Sequence, residues 1–421
     1  MADTAVDVIV QIGGEDVLAG HLWSHRRRAT ESATFSYTTE YLGRQDAYEL
    51  DPVLPLSPGS QQTPAEHPIF AAFSDCAPDR WGRRLVNRTE GRRVKREGGA
   101  ERSFGEIDYL LGVRDDLRQG ALRFRHPKTA IFLAEETAGV PHLIDLPTLL
   151  NASERLEHED VGDADLRTLL RGGSSLGGAR PKAHVLDQSG RVAIAKFPSP
   201  ANDEWDVIRW EGIALTLARD AGISVPPFAL HIIDGKAVLI VDRFDRRGAR
   251  RVGYVSAMTM LEATDGDEGS YLDIADVIER QSASAGEDLR QLWRRIAFSI
   301  LISNTDDHLR NHGFLRTSTA GWSLCPAFDL NPDPRPGPKY LSTAIDYNTT
   351  AASIATLMEV ASAFRLSPDD ARTVLRDVMA AMSRWRAAAH DAGLSHAATE
   401  QMTLAFEHDQ TDVAREIVDQ F

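Results

Sequence analysis

With 421 residues, 42% hydrophobic and 26% charged, the chain is long enough for two or three subdomains and too apolar to be disordered. Its 47 basic against 62 acidic residues leave a net charge of −15, which argues against whole-chain affinity for nucleic-acid phosphates while leaving a local basic patch open. Two cysteines, Cys76 and Cys325, provide neither a disulfide framework nor metal-ligand spacing, and no apolar run reaches the roughly 20 residues of a membrane span.

The opening MADTAVDVIVQIGG has no basic stretch ahead of an apolar one, so a soluble, cytoplasmic chain with no membrane partner is expected. Val6, Val8 and Val10 alternate as one face of a strand, and Gly13-Gly14 supplies a turn. Residues 33–42, ATFSYTTEYL, read as a further strand. Residues 51–68 are rich in Pro, Ser and Gln and read as a loop. A helix is expected from about His67 to Arg96, carrying Arg80, Arg83, Arg84, Arg88, Arg92, Arg93 and Arg96. Those arginines fit either a solvated helix face or a dock for an anionic partner.

Residues 172–186, GGSSLGGARPKAHVL, form a glycine-dense loop entering a strand, and residues 191–199 form a second strand. Asp203 to Gly222 is expected to be helical, with Ile208, Glu211, Leu215 and Ala218 on one face. Ala237 to Val241 is a third strand, followed by DRFDR. The acidic stretch 262–270 reads as a mobile surface loop. Beyond about Ser256 helices dominate, and Leu289, Leu292, Trp293, Ile296, Ala297, Ile300 and Leu301 have the spacing of a buried helix.

That helix runs into NTDDHLRN, residues 304–311, a short polar loop with Asn304, Asp306, Asp307, His308 and Asn311. HGFLR, TSTAG and WSLCP then read as a hairpin, which would return Asp329 to the neighbourhood of Asn311 and Asp306. Two or more carboxylates and a carboxamide in one pocket suit phosphoryl transfer. One carboxylate would orient or deprotonate an acceptor hydroxyl; another, with an amide oxygen, would hold magnesium. The glycines at 172, 173, 177 and 178 would let backbone N–H groups approach phosphates, though the loop matches neither the P-loop nor the dinucleotide pattern. Lys196 shares a strand face with Val192 and Ile194, and its ammonium would need a partner, either nucleotide phosphates or Glu211 on the next helix.

These residues together resemble the HipA family of serine/threonine kinases, known as toxins of bacterial toxin–antitoxin pairs. FSYTTEYL, APDRWGRRL and LLGVRDDLRQGAL resemble its N-terminal subdomain, and SSLGGARPKA, AIAKF, VDRFDR, NTDDHLRN and PAFDLNP follow in its order. The resemblance implies a two-lobed, kinase-like α+β fold. Its parts would be a strand-rich N-terminal subdomain (1–135), a small lobe with the glycine loop (136–255) and a helical C-terminal lobe (256–421). It implies ATP and Mg²⁺ as cofactors, with Asp306 as catalytic base and Asn311 and Asp329 as metal ligands. It puts Gly177, Gly178, Ala179, Arg180 and Lys182 in the nucleotide loop and Lys196, supported by Glu211, on the phosphates. Asp242, Arg243 and Phe244 would be the hinge facing adenine, although a strand-ending ion-pair network is the plainer reading of that stretch. Phe328 would contact the nucleotide, and His308 would either meet its phosphates or stabilise the loop. Ser175, with Ser174 beside it, stands where the family is autophosphorylated and switched off. Pro181 departs from the family pattern and removes one backbone donor from the loop. Asp307 is expected to be a solvated neighbour of Asp306.

The implied partners are a protein substrate, such as an aminoacyl-tRNA synthetase or other translation factor, and a small helix-turn-helix antitoxin through which any DNA contact would be indirect. Two other readings stay open: a small-molecule or lipid kinase on the same scaffold, and a non-catalytic member of an antitoxin–DNA complex.

Overall fold

The period-two valines form the strand Thr4–Ile12, with Val6, Val8 and Val10 buried. It pairs antiparallel with Glu15–Arg27 through a turn in which Gly13 and Gly14 have φ of 63° and 100°. The five-stranded sheet runs in the order Gln61–Gln62, Thr30–Tyr37, Glu15–Arg27, Thr4–Ile12, Leu122–Arg125. Phe35, Phe70, Phe73 and Phe124 meet edge-on beneath it, the arrangement aromatic quadrupoles favour. This computed structural model describes residues 4–27, 30–65, 67–127, 129, 131–134, 139–173 and 180–419. Ser174, Ser175, Gly177, Gly178 and Ala179 lie outside the described residues.

Two sequence expectations need correcting here. The strand expected over residues 33–42 stops at Tyr37, because the Thr38 hydroxyl accepts from Tyr41 N–H and caps a helical turn, Thr39–Leu42. The helix expected from His67 to Arg96 is two helices, Ala71–Ser74 and Arg80–Glu97. Pro78 has no N–H to continue the first, and the Asp79 carboxylate starts the second by accepting from Gly82 N–H at 2.7 Å.

The chain divides into two compact units: Met1–Asn202 with Ile233–Lys236 and Ile240–Val255, and Asp203–Ile232 with Ala237–Leu239 and Ser256–Phe421. The first holds the five-stranded sheet, the helices Leu146–Glu157 and Asp163–Arg171, and the hairpin Lys182–Leu186 with Val192–Lys196. Its arginine helix keeps a solvated face, on which Arg80, Arg84 and Arg96 are exposed, and six of its seven arginines face carboxylates. Arg83 faces Glu106, Arg84 Glu157, Arg88 Glu159, Arg92 and Arg96 Asp163, and Arg93 Glu90. The buried Glu157 also accepts from Ser199 Oγ at 2.5 Å and Asn202 Nδ2 at 3.1 Å, which supplies the partners a desolvated carboxylate needs.

The second unit is mainly helical. The helix Val207–Asp220 buries Ile208, Glu211, Leu215 and Ala218 along one face, as their spacing requires. Trp210 packs on Trp385 and Phe406, whose rings stack at 4.8 Å. The strand Phe228–Ile233 has little buried apolar surface, and the sequence gives no periodic sign of it. Among the described residues no helix is long and apolar enough to cross a membrane.

Candidate functional site

The helix Ala285–Leu301 buries Leu289, Leu292, Trp293, Ile296, Ala297, Phe298, Ile300 and Leu301 without exposure. It ends where Ser303 takes φ of 54° and Asn304 N–H reaches back to Ser299 O at 2.8 Å, a six-to-one closure. A buried non-glycine residue in the left-handed region costs about 1–3 kcal/mol, and such strain gathers at functional sites.

Three successive carbonyls of the loop are held. Thr305 O accepts from Ser342 N–H and Ser342 Oγ, both at 2.9 Å. Asp306 O accepts from His308 N–H and Asn311 Nδ2, both at 3.0 Å. Asp307 O accepts from Thr343 Oγ1 at 2.7 Å. The Asp306 side chain is exposed at the crest of this fixed backbone.

Asp307 corrects the sequence reading most sharply. It is buried, not solvated: its Oδ2 accepts from Tyr271 Oη at 2.6 Å and Ser299 Oγ at 3.2 Å, and its Oδ1 lies 3.1 Å from His312 Nε2. Burial raises its pKa, but His312 and the two hydroxyls more than offset that and hold it below the ordinary carboxylate range. The Tyr271 phenol is pushed up by its own burial and by that carboxylate. Sequence spacing missed Tyr271, His312, Ser342 and Thr343, none of which carries a motif.

The hairpin Gly313–Ser318 with Gly321–Leu324 forms as expected, and Cys325 N–H continues it to Gly313 O at 2.9 Å. Beyond it Asp329 takes φ of 59°, and Asn331 Nδ2 donates to Asp329 O at 3.2 Å. Asn331 N–H donates to Asn304 Oδ1 at 3.3 Å, which ties this segment to the head of the 304–311 loop. With Asn311 Nδ2 committed to Asp306 O, Asn311 Oδ1 is left as an acceptor, the group a hard cation takes. Buried Nδ1 of His308 and Oδ1 of Asn331 have no hydrogen-bond partner among the described residues, so each retains polar capacity. Among the described residues no three His, Cys, Asp or Glu side chains gather as a metal site, so an ion here would draw on an amide oxygen and few carboxylates.

The other candidates lie in the first unit. Lys182 and Lys196 stand directly opposite in the hairpin, a like-charge pair that needs anions. Lys182 has one, Asp79 Oδ2 at 2.8 Å, although desolvation still raises the Asp79 carboxyl. Lys196 is half-buried on the face of Val192 and Ile194. Pro181 belongs to the strand pairing, where its carbonyl accepts from Phe197 N–H at 2.9 Å. Arg180 and Phe328 are half-buried, the latter in the second unit with Glu211. In the hinge stretch Asp242 meets Arg191 at 3.4 Å, and Phe244 packs on Tyr254 at 6.0 Å between centroids.

Arg243 is spent internally. It donates to Asp245 at 2.8 and 2.5 Å, to Leu117 O at 2.6 Å, to Arg118 O at 3.1 Å and to His184 Nε2 at 3.1 Å. Only its backbone remains for a ligand. A cavity of about 580 Å³ borders Arg123, Arg191, Arg243, Arg246, Arg251 and Asp242, but those guanidinium groups already meet Asp115, Asp187, Asp245 and backbone carbonyls.

Residues 174–385, half of the chain, match the family of the HipA-like C-terminal domain. The chain belongs to that family. This HipA-like protein is 29% identical over 152 residues to Y4dM of Sinorhizobium fredii (strain NBRC 101917 / NGR234), covering 32% of this chain and 36% of that one. It is 25% identical over 243 residues to Y4mE of the same organism, covering 54% of each. The chain thus spans 36% and 54% of the lengths of the curated relatives it matches. Its fold resembles a chain of the Shewanella oneidensis MR-1 toxin–antitoxin complex of HipA, HipB and operator DNA. The TM-score is 0.64 at 15% identity, over 99% of this chain and 100% of that one. That likeness is one of fold, and it extends to the N-terminal region outside the matched family segment.

Proposed function

We propose that this HipA-like protein is a kinase that transfers the γ-phosphate of ATP to a serine or threonine hydroxyl of a protein. The observation that carries the reading is Asp306, an exposed carboxylate on a loop whose three successive carbonyls are hydrogen-bonded from below. Positioning and electrostatic stabilisation are most of what a protein contributes to phosphoryl transfer, and a carboxylate held to orient the acceptor is one part of that. The Sinorhizobium relatives, whose names carry the word kinase, point the same way.

In this reading Asp306 orients the acceptor hydroxyl and takes its proton. Asn311 Oδ1 and the Asp329 carboxylate would hold Mg²⁺, which would offset the charge on the phosphoryl oxygens when bound. Lys196, backed by Glu211, and Lys182 and Arg180 meet the phosphates with the loop glycines Gly177 and Gly178 and with Ala179. His308 stands beside them. Backbone groups of Asp242, Arg243 and Phe244 face adenine, and Phe328 packs near it. Phosphate on Ser175 or Ser174 would place negative charge in the nucleotide loop and switch the enzyme off.

The Shewanella complex holds HipB and operator DNA. By extension we assign this chain a small helix-turn-helix partner that would carry any DNA contact. The net charge of −15 and the carboxylate partners of the 80–96 arginines disfavour direct DNA binding. A translation factor is the substrate class the family suggests.

Incubation with γ-labelled ATP and Mg²⁺ should label protein, the chain itself included, and Asp306→Ala should abolish that label. Label retained in Asp306→Ala would remove Asp306 from its role. Label appearing only in an added metabolite or lipid would shift the acceptor to a small molecule.

A further inference from the structure

Asp306 and Asp307 are neighbours that face opposite ways: the first is exposed and the second is buried. The groups that meet Asp307 come from four separate places. Tyr271 opens the helix Tyr271–Gln281 and Ser299 lies in the last turn of Ala285–Leu301. His312 leads into the strand Gly313–Ser318, and Thr343 holds the Asp307 carbonyl from the segment after Asp329. Ser299 serves twice, because its carbonyl also accepts from Asn304 N–H at 2.8 Å.

A buried carboxylate is an expensive way to hold a loop, since an apolar plug of similar volume would avoid the desolvation. What a carboxylate adds is direction: an acceptor-only group with two hydroxyl donors on one oxygen and an imidazole nitrogen 3.1 Å from the other fixes the orientation of its own peptide. The Asp306 carbonyl lies on that peptide and accepts from Asn311 Nδ2. Moving Asp307 would therefore move the exposed Asp306 and the Asn311 amide together.

We infer that Asp307, held by Tyr271, is a positioning residue for phosphoryl transfer, setting the 305–307 backbone so that Asp306 and Asn311 keep their places. The inference rests on the kinase reading for its catalytic consequence, but the mechanical part stands apart from it.

Tyr271→Phe tests it most cleanly. The change deletes one hydroxyl and keeps the ring, which meets His312 edge-on at 5.5 Å. The readouts are steady-state phosphoryl transfer, corrected for folded fraction, and hydrogen–deuterium exchange of the 304–312 peptide in the full chain. The expected result is a fall of about 10- to 100-fold in kcat with KM for ATP within about twofold, together with faster exchange at 304–312. Thr343→Val, which removes the hydroxyl on the Asp307 carbonyl, should do the same to a smaller degree and stands in if Tyr271→Phe folds poorly. Wild-type kcat in both variants overturns the inference, as does a loss that vanishes on correction for folded fraction. If the wild-type chain transfers no phosphate, the kinase reading falls. Exchange in Tyr271→Phe then decides the inference alone: faster exchange upholds the anchor and unchanged exchange removes it.

Discussion

Two polar stretches in this chain follow buried apolar elements: the loop Asn304–Asn311 after the helix Ala285–Leu301, and residues 242–251 after the strand Lys236–Asp242. In the second, charge turns inward. Asp245, buried, accepts from Arg243, Arg246 and Gly120 N–H, while Arg243, Arg246 and Arg251 all donate to the single carbonyl of Arg118. Burial, with a smaller contribution from neighbouring guanidinium groups, lowers Arg246 to about 9 and Arg118 to about 10. In the first, the internal bonds go to carbonyls and to Asp307, and Asp306 stands exposed above them. A polar cluster that consumes its own charges is a structural joint, whereas one that uses them to present a carboxylate has the form of a site.

The contrast can be broken by substitution. The largest effect should come from Asp306→Ala, which should cost about 10²- to 10⁴-fold in phosphoryl transfer, the usual worth of a general base, while the urea midpoint stays at its wild-type value. Asp245→Ala should do the reverse. Leaving Arg243 and Arg246 buried without their carboxylate should cost about 3–5 kcal/mol of stability, read from urea unfolding.

A smaller effect follows from His184. Its Nδ1 lies 2.8 Å from Gly172 O and its Nε2 3.1 Å from Arg243, so burial and the guanidinium hold its pKa down at about 3. The folded state therefore binds fewer protons than the unfolded state between pH 6.5 and about 3. Stability should be intact above pH 6.5 and fall with acidification, by about 2 kcal/mol at pH 5. His184→Gln should flatten that slope in denaturation curves taken at pH 7 and pH 5. Smallest of all, Arg88→Ala should change stability by less than about 1 kcal/mol and leave transfer unchanged, since its contact with Glu159 is exposed. A large loss there would mean that the 80–96 ladder is a joint like the one around Asp245.

The sequence revealed those parts of this architecture whose geometry repeats. Valine alternation marked the first strand, and the spacing of Leu289, Trp293, Ile296 and Ile300 marked the helix that delivers the site. The hairpin at 313–324 was legible too, and the segment beyond it is tied to the head of the loop by the Asn331–Asn304 bond. What repeats nowhere was hidden. A loop has no period from which to tell that Asp306 faces out and Asp307 in. Two of the four groups that hold Asp307, Tyr271 and Thr343, lie 36 residues away, on either side. The arginine helix was opaque for the same reason, since Glu157 and Asp163 sit 73 and 71 residues from Arg84 and Arg92. The sequence does carry the break between the two helices, as Pro78 followed by the capping Asp79.

The adjacent aspartates offer the most direct test of this division of labour: phosphoryl transfer from labelled ATP and the thermal midpoint, measured together on Asp306→Asn and Asp307→Asn. Asp306→Asn should lose transfer and keep the wild-type midpoint, while Asp307→Asn, which puts an amide N–H where only acceptors fit, should lower the midpoint as well as transfer. An Asp306→Asn protein that still transfers phosphate at the wild-type rate, or that unfolds as early as Asp307→Asn, would contradict it.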